Sequence, residues 1–514
     1  LRRVRTMLEL TLDRRLTGGL RLLAHKDIST TQPILRGVVP PELVIALRQH
    51  GGEPAQPVVE VGQQVAKGEV IAIPGAPPSA AVHASSSGRV TAIEERLAPA
   101  GNRLRRSLCV VIETDGADRA ATSEPVPPWP DDREAQLRRV LDGGLAGLGG
   151  AVFPTAAKLA AAVPCRTLIV NGAECEPYIS CDDMLMRESA GEIVAGALLM
   201  CELVGAPQCI IAIERDKPRA IEAIAAAARA AADPRLRLAE VPTIYPAGGE
   251  LQLIELLTGE EVPSGSYPTD IGHVCQNVGT AFALYRLARR GEPLTTRIVS
   301  VTGAGVANPR NIEAPIGTPI GFLIELCGGY TRHVERLIHG GSMMGYALPR
   351  DDVPITKATS CVIAAAPAEI RLDFEEWACI RCGECASACP ARLMPQEILV
   401  AATAHDYSGL EMLGLDDCIE CGCCDVVCPS HIVLTERFRG AKRDHAKHAR
   451  QLELSAEAEE RYRRRTQRLE EAERDAREAQ DALRAEVHAD EDARRRAIEA
   501  AVERARRRRG AEES

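Results

Sequence analysis

Cys379-Ile380-Arg381-Cys382-Gly383-Glu384-Cys385-Ala386-Ser387-Ala388-Cys389-Pro390 has a second copy downstream. Cys418-Ile419-Glu420-Cys421-Gly422-Cys423-Cys424-Asp425-Val426-Val427-Cys428-Pro429 repeats its spacing, C-x2-C-x2-C-x3-C-P. Thiolates spaced this way wrap a four-iron cluster, and in a doubled run the fourth Cys of each run ligates the other cluster. The pair predicts two [4Fe–4S] clusters and one-electron chemistry, in a domain over residues 370–440. Zinc needs only C-x2-C pairs and has no use for the third Cys or for the fourth before Pro. Disulfides fit worse, since cysteines three residues apart close strained loops.

Working outward, a chain of 514 residues is too long for one core, so several domains are expected. An apolar content of 45% and a charged content of 26% are those of a globular protein. A net charge of −10 gives no reason to expect nucleic-acid binding. Eight of the 18 cysteines sit in the two runs. The other ten read as buried free thiols of a reducing compartment, including Cys423, a non-ligand wedged beside Cys424. The first residues, LRRVRTMLELTLDRRL, lack an apolar h-region and do not read as a signal peptide; Met7 is a candidate start. The longest apolar stretch, around residues 193–199, is too short to span a bilayer, so a membrane role is expected to be peripheral.

Residues 30–120 are rich in Val, Gly and Pro. Val58–Ala72 reads as strand, Gly turn, strand, and 82–93 as a second such unit. They look like the flattened β-barrel of biotinyl and lipoyl carriers. The turn between the halves, Pro74–Ala80, has no Lys to modify, so a structural domain is expected. Pro125, Pro127, Pro128 and Pro130 mark a linker. Over 131–290, Thr167–Val170 and Cys209–Ile213 read as buried strands, and Gly191–Val204 and Pro218–Ala232 as helices, which together imply a mostly parallel sheet. A small β-rich domain is expected over 295–348. Residues 441–514 hold 20 Lys/Arg and 19 Asp/Glu, with pairs such as Glu470–Arg474 and Glu473–Arg477. A charged helical or disordered tail is expected from about 445.

A second chemical signal lies at Gly147-Leu148-Gly149-Gly150-Ala151-Val152-Phe153-Pro154-Thr155-Ala156-Ala157-Lys158. A Gly-rich loop opening a helix can cradle phosphate, and Lys158 would add charge, though the string is neither a dinucleotide fingerprint nor a Walker loop. Beyond the strand Thr167–Val170 comes Asn171-Gly172-Ala173-Glu174-Cys175-Glu176-Pro177. Ligands of parallel α/β sheets bind beyond strand carboxyl ends. Two carboxylates and an amide there suit ribose hydroxyls, or a flavin or nicotinamide ring. Tyr245-Pro246-Ala247-Gly248-Gly249-Glu250 and Gln276-Asn277-Val278-Gly279-Thr280 are further candidates. Each string also reads as an ordinary turn.

In this order the strings resemble the flavin- and NADH-binding subunit of respiratory complex I. Val152 stands where that family's G-x-G-G-A-G-F-P-T has its last Gly, and Ala173 where its N-A-D-E-S-E-P has Asp. The whole arrangement over residues 7–440 resembles RnfC, a component of the Rnf (Rsx) family of ion-translocating ferredoxin:NAD oxidoreductase complexes. The implied fold is multidomain α/β: a lipoyl-like β-barrel, a complex-I-flavoprotein-like α/β domain, a β-grasp (SLBB-like) domain, a two-cluster ferredoxin-like α-helical domain and the charged tail.

The implied cofactors are FMN and two [4Fe–4S] clusters, with NAD(H) as substrate. The implied partners are the other subunits of the membrane complex, and ferredoxin or flavodoxin indirectly. The implied place is peripheral, on the cytoplasmic side of the bacterial inner membrane. By resemblance Gly147, Gly149, Gly150, Lys158, Asn171 and Asn277 line FMN, with Glu174 and Glu176 near the flavin ring and nicotinamide and Gly248 a further cofactor-binding residue. The spacing rule gives Cys379, Cys382, Cys385 and Cys428 to one cluster and Cys418, Cys421, Cys424 and Cys389 to the other. Hydride transfer itself requires no acid–base residue. Two alternatives stay open: a soluble diaphorase subunit of a hydrogenase or formate dehydrogenase, and a non-enzymatic iron–sulfur relay with a dead flavin pocket.

Overall fold

Four parallel strands with helical crossovers organise the centre of the molecule. In the computed structural model they are β1 (Thr167–Gly172), β2 (Cys209–Glu214), β3 (Leu236–Val241) and β4 (His273–Asn277). The structure describes residues 9–10, 14–101, 103–121, 126–162, 164–331, 333–370 and 374–512. The N-terminal stretch 1–8, with Met7, and Pro125 of the linker lie outside them. The sheet runs Glu9–Leu10, β3, β2, β1, β4. Every pairing is parallel.

The chain therefore steps one way from β1 to β3 and returns to β1's other edge as β4. Such a reversal opens a crevice beyond the carboxyl ends of the two strands. β1 ends at Asn171 and Gly172, and Asn171's register partner on β4 is Asn277.

Helices cover the sheet: α1 (Thr155–Ala160), α2 (Cys181–Val204), α3 (Pro218–Ala231), α4 (Glu250–Thr258) and α5 (Val278–Arg290). Their ends follow local chemistry. Pro218 opens α3, where a missing N–H costs nothing, and Gly205 and Gly291 end α2 and α5 in the left-handed conformation. Asn277 caps α5, its side chain accepting from Gly279 N–H at 2.8 Å. The core between sheet and helices includes Leu168, Val170, Ile211, Ile193, Ala197, Met200 and Leu284, all buried.

The region before this sheet is a sandwich of short antiparallel strands. Glu42–Ala46, Leu104–Thr114, Gly88–Pro99 and Gln64–Val65 form one sheet, and Gln56–Pro57, Val70–Ile73 and Val82–His83 the other. The strand read at Val58–Val61 is displaced: pairing falls on Gln56–Pro57, and Gly62 turns the chain at φ +95°. Following the central sheet, β5 (Thr296–Thr302) joins a mixed sheet in the order Arg310–Pro315, β5, Cys361–Ala365, Arg336–His339, Tyr346–Leu348. Its third member lies beyond residue 348, because β5 takes Cys361–Ala365 as a parallel neighbour.

The cysteine runs fold as a duplicated unit. Positive φ recurs at Arg381 and Glu420, Gly383 and Gly422, and Arg392 and His431, each pair at the same step along the chain as Cys379 and Cys418. Short helices Glu384–Ala388 and Cys423–Val426 start after the two glycines. Residues 1–439 make one unit and 440–514 another. Residues 440–512 lie in the helix Leu434–Glu512, exposed along most of their length. Spaced pairs such as Glu457–Arg461 and Glu460–Arg464 support it. No helix among the described residues is long and apolar enough to cross a membrane.

Candidate functional site

The crevice at the β1/β4 reversal is a cavity of about 780 Å³. Gly147, Gly149, Gly150, Lys158, Asn171, Glu174, Glu176, Gly248 and Asn277 all line it. Backbone conformation explains one of the glycines and close packing another. Gly150 sits at φ +104°, and a Cβ on Gly248 would lie 2.0 Å from the carbonyl oxygen of Ala173. Asn171 fixes that approach, donating from Nδ2 to Gly248 C=O at 2.8 Å and accepting from Ala173 N–H at 2.9 Å.

The carboxylates have different duties. Glu174 accepts from the N–H groups of Asp182 and Asp183 at 2.8 and 3.4 Å, holding the N-terminus of α2. Burial pushes it up to about 7, opposed by Lys26, whose ammonium lies 3.9 Å from the carboxylate and bonds the Glu174 carbonyl. Asp182, also raised by burial, accepts from Asn277 Nδ2 at 2.6 Å. Glu176 is committed elsewhere: it accepts from Met343 and Met344 N–H at 2.9 and 2.8 Å, tying down the loop between Arg336–His339 and Tyr346–Leu348. Lys158 donates to Glu250 Oε1 and to the Cys275 carbonyl, both at 2.7 Å.

The contacts that support the cavity reach beyond the candidate strings. Arg297, on β5, donates to the carbonyls of Thr359, Lys357 and Leu148, and so ties the Gly-rich loop to the third domain. Leu148 N–H donates to Thr280 Oγ1 at 2.9 Å. Gly51 of the N-terminal sandwich donates to Val152 C=O at 3.0 Å. Gln276 lines the cavity with its Nε2 buried and unpartnered. Arg297 looks like an ordinary strand residue and Gly51 like an ordinary turn, whereas Gln276 and Thr280 belong to the candidate string at 276–280.

The eight run cysteines divide between two smaller cavities. Cys379, Cys382, Cys385 and Cys428 line one; Cys389, Cys418, Cys421 and Cys424 line the other, where Cys423 also stands. Backbone N–H groups already point at sulfur: Arg381 to Cys379 and Leu393 to Cys389, both at 3.4 Å. Four thiols around each space, with amides aimed at sulfur, suit an iron–sulfur cluster. Cys379 and Cys382 are exposed, whereas in the second set Cys421 and Cys424 are buried and Cys389 and Cys418 half-buried. Tyr245 OH donates to Cys421 C=O at 2.7 Å, and Ile419 lines the large cavity. Of the ten other cysteines nine are buried, and Cys175 is half-buried.

Comparison with known proteins places these parts. Residues 14–117 match the RnfC barrel sandwich hybrid domain, 140–286 the Nuo51 FMN-binding domain and 298–347 the SLBB domain. The RnfC component of the ion-translocating oxidoreductase complex of Pseudomonas aeruginosa is 44% identical over 455 residues, covering 88% of this chain and 58% of the relative. The chain belongs to the RnfC family. RnfC proteins from Yersinia pestis and Vibrio cholerae are 42% and 41% identical, over 74% and 78% of this chain and 61% and 52% of their own. This RnfC homologue thus spans between about half and three-fifths of the length of these curated relatives. An air-oxidized NAD+-reducing [NiFe]-hydrogenase superposes with a TM-score of 0.44 at 23% identity, over 62% of this chain and 63% of that one. The expected multidomain α/β organisation, with barrel-sandwich, flavin-type and SLBB parts, agrees with the family matches.

The cavity fits a flavin nucleotide on its own features. It lies at the sheet reversal, its glycine loop leaves open backbone, and Gln276 offers an unsatisfied donor.

Proposed function

We propose that this chain is the NAD(H)-facing, electron-converting subunit of a membrane-bound complex. That complex would couple electron transfer between NAD(H) and ferredoxin to Na+ or H+ movement. The observation that carries the reading is the shared wall. The flavin-type cavity and the space ringed by Cys389, Cys418, Cys421 and Cys424 meet at Tyr245 and Ile419.

A bound flavin supplies the exchange between two-electron hydride chemistry and one-electron steps. This chain's residues build the place for that exchange. The loop Gly147–Gly150 lets a ligand approach backbone N–H groups, held from below by Arg297 and Thr280. Asn171 and Asn277 fix the two strand ends. Glu174, near neutrality in its ionisation, is placed to hold or give up a proton at the cavity wall. Tyr245 closes the wall against water between the cavity and the inner cysteine set, with its ring buried.

The inner set would hold the cluster nearer the flavin, and the exposed Cys379 set the cluster nearer a partner. The duplicated helical unit is then a two-cluster ferredoxin-like domain. A peripheral place on the cytoplasmic face of the bacterial inner membrane, against the other complex subunits, completes the reading.

Anaerobic purification with iron counting, a flavin spectrum and NADH titration tests it. About eight irons per chain are expected from two clusters of four irons, each held by four cysteines, with a flavin that NADH bleaches. About eight irons with no flavin and no bleaching would replace this reading with that of a one-electron relay.

A further inference from the structure

Lys158 is expected to meet the phosphate of the flavin nucleotide, yet its ammonium is already held. It donates to Glu250 Oε1 and to Cys275 C=O, both at 2.7 Å. An ammonium has three donors, so one is left. A phosphate taking it would sit beside the Glu250 carboxylate, and a dianion and a carboxylate sharing one cation repel.

The rest of the cavity does not relieve that repulsion. Its charged lining residues are Lys158 and Arg297 against Glu174, Glu176, Asp182 and Glu250. Arg297, itself buried, spends three of its five donors on backbone carbonyls. Lys158, with its side chain 22% exposed, is the more accessible cation beside the glycine loop and has a donor to give, and Glu250 stands in the place of its anion.

Glu250 can leave. It is the first residue of α4, and its side chain is 39% exposed. Turned toward solvent it stays at a helix N-terminus, where a negative charge is favoured. Glu176, by contrast, is fixed by two backbone N–H groups.

We propose that Glu250 is an affinity-determining residue of this site, an internal anion that occupies Lys158 and must be displaced by the ligand's phosphate. It weakens phosphorylated flavin selectively and leaves the ring's contacts alone. The inference rests on the reading of this cavity as a flavin site.

The test is equilibrium titration of the flavin-stripped, cluster-loaded full chain with FMN and with riboflavin, followed by flavin fluorescence. Wild type is compared with Glu250→Gln, Glu250→Ala and Lys158→Gln. In both Glu250 variants the ratio of FMN to riboflavin affinity should rise on the order of tenfold, as expected when a charge-assisted contact is freed for the ligand. In Lys158→Gln the ratio should fall toward one. An unchanged or lowered ratio in the Glu250 variants overturns the proposal and shows Glu250 to be an anchor that positions Lys158. If neither flavin binds any of the four proteins, the flavin reading itself fails, and that outcome is distinct from an unchanged ratio.

Discussion

Val152 shows two residue-level forces of similar size in opposition. It sits at φ +44°, a region a β-branched side chain enters at a cost of about 1–2 kcal/mol. Its side chain is also buried, worth about 1.5–3 kcal/mol. Val152→Gly removes both terms, and the net is expected to fall between about 0.5 kcal/mol of gain and about 2 kcal/mol of loss. Val152→Ala keeps the strain and loses most of the burial, so it should be the less stable of the two variants. Thermal melts of the three proteins check the order; Ala melting above Gly would mean that the backbone here is not strained. The Gly-to-Val departure from the complex I pattern is legible in sequence. Its consequence is not, because the compensating burial comes from a loop packed under Gly51 of another domain.

At the scale of elements, close approach between α2 and α5 holds the sheet's cover in place. A Cβ on Gly196 would lie 1.9 Å from the carbonyl oxygen of Ala281, so the helices touch through backbone. Gly196→Ala is expected to cost about 1–3 kcal/mol or more through forced separation. Gly191→Ala, on the same helix with nothing within 4 Å, should be neutral or better. A melt in which both variants behave alike would sink the argument. β1, β2 and α3 are readable because their apolar runs and Pro218 follow local rules. The meeting of Gly147, Asn171, Gly248 and Asn277 is not readable from spacing, since it depends on β4 returning to β1's free edge. Nor is the role of residues 14–36, which have no periodicity. They form an irregular strap whose Leu20 pairs with Tyr245, and whose Ser29 meets Ser180 at 2.7 Å and accepts at its carbonyl from Asn311.

Across the whole molecule, buried cations and this strap join the domains. Lys357 is fully buried and donates to Ala81 C=O of the sandwich and Gly144 C=O ahead of the central sheet. Burial pushes it down to about 7, against about 10.4 for a free Lys. Between those values the unfolded chain holds a proton the folded chain lacks, so stability rises with pH through that window and is lowest below it. Lys357→Met should flatten the rise in melting temperature between about pH 7 and 9; a slope equal to wild type would refute the assignment. The strap makes the sharper prediction. Gly18, at φ +61°, lies so close to the Cys389 loop that a Cβ would be 2.6 Å from the Cys389 carbonyl oxygen. Gly19 N–H bonds Ala388 C=O at 2.9 Å next to it. Cys389 crosses over from the first run to complete the inner cysteine set, so pressure on this loop falls on one cluster. Gly18→Val is therefore expected to lower iron from about eight to about four per chain, with the Cys379 cluster retained. Iron analysis with low-temperature spectroscopy of the reduced protein reads the result. Retention of all the iron would show that the strap does not hold the Cys389 loop. Loss of all of it would show that the two clusters assemble as one unit.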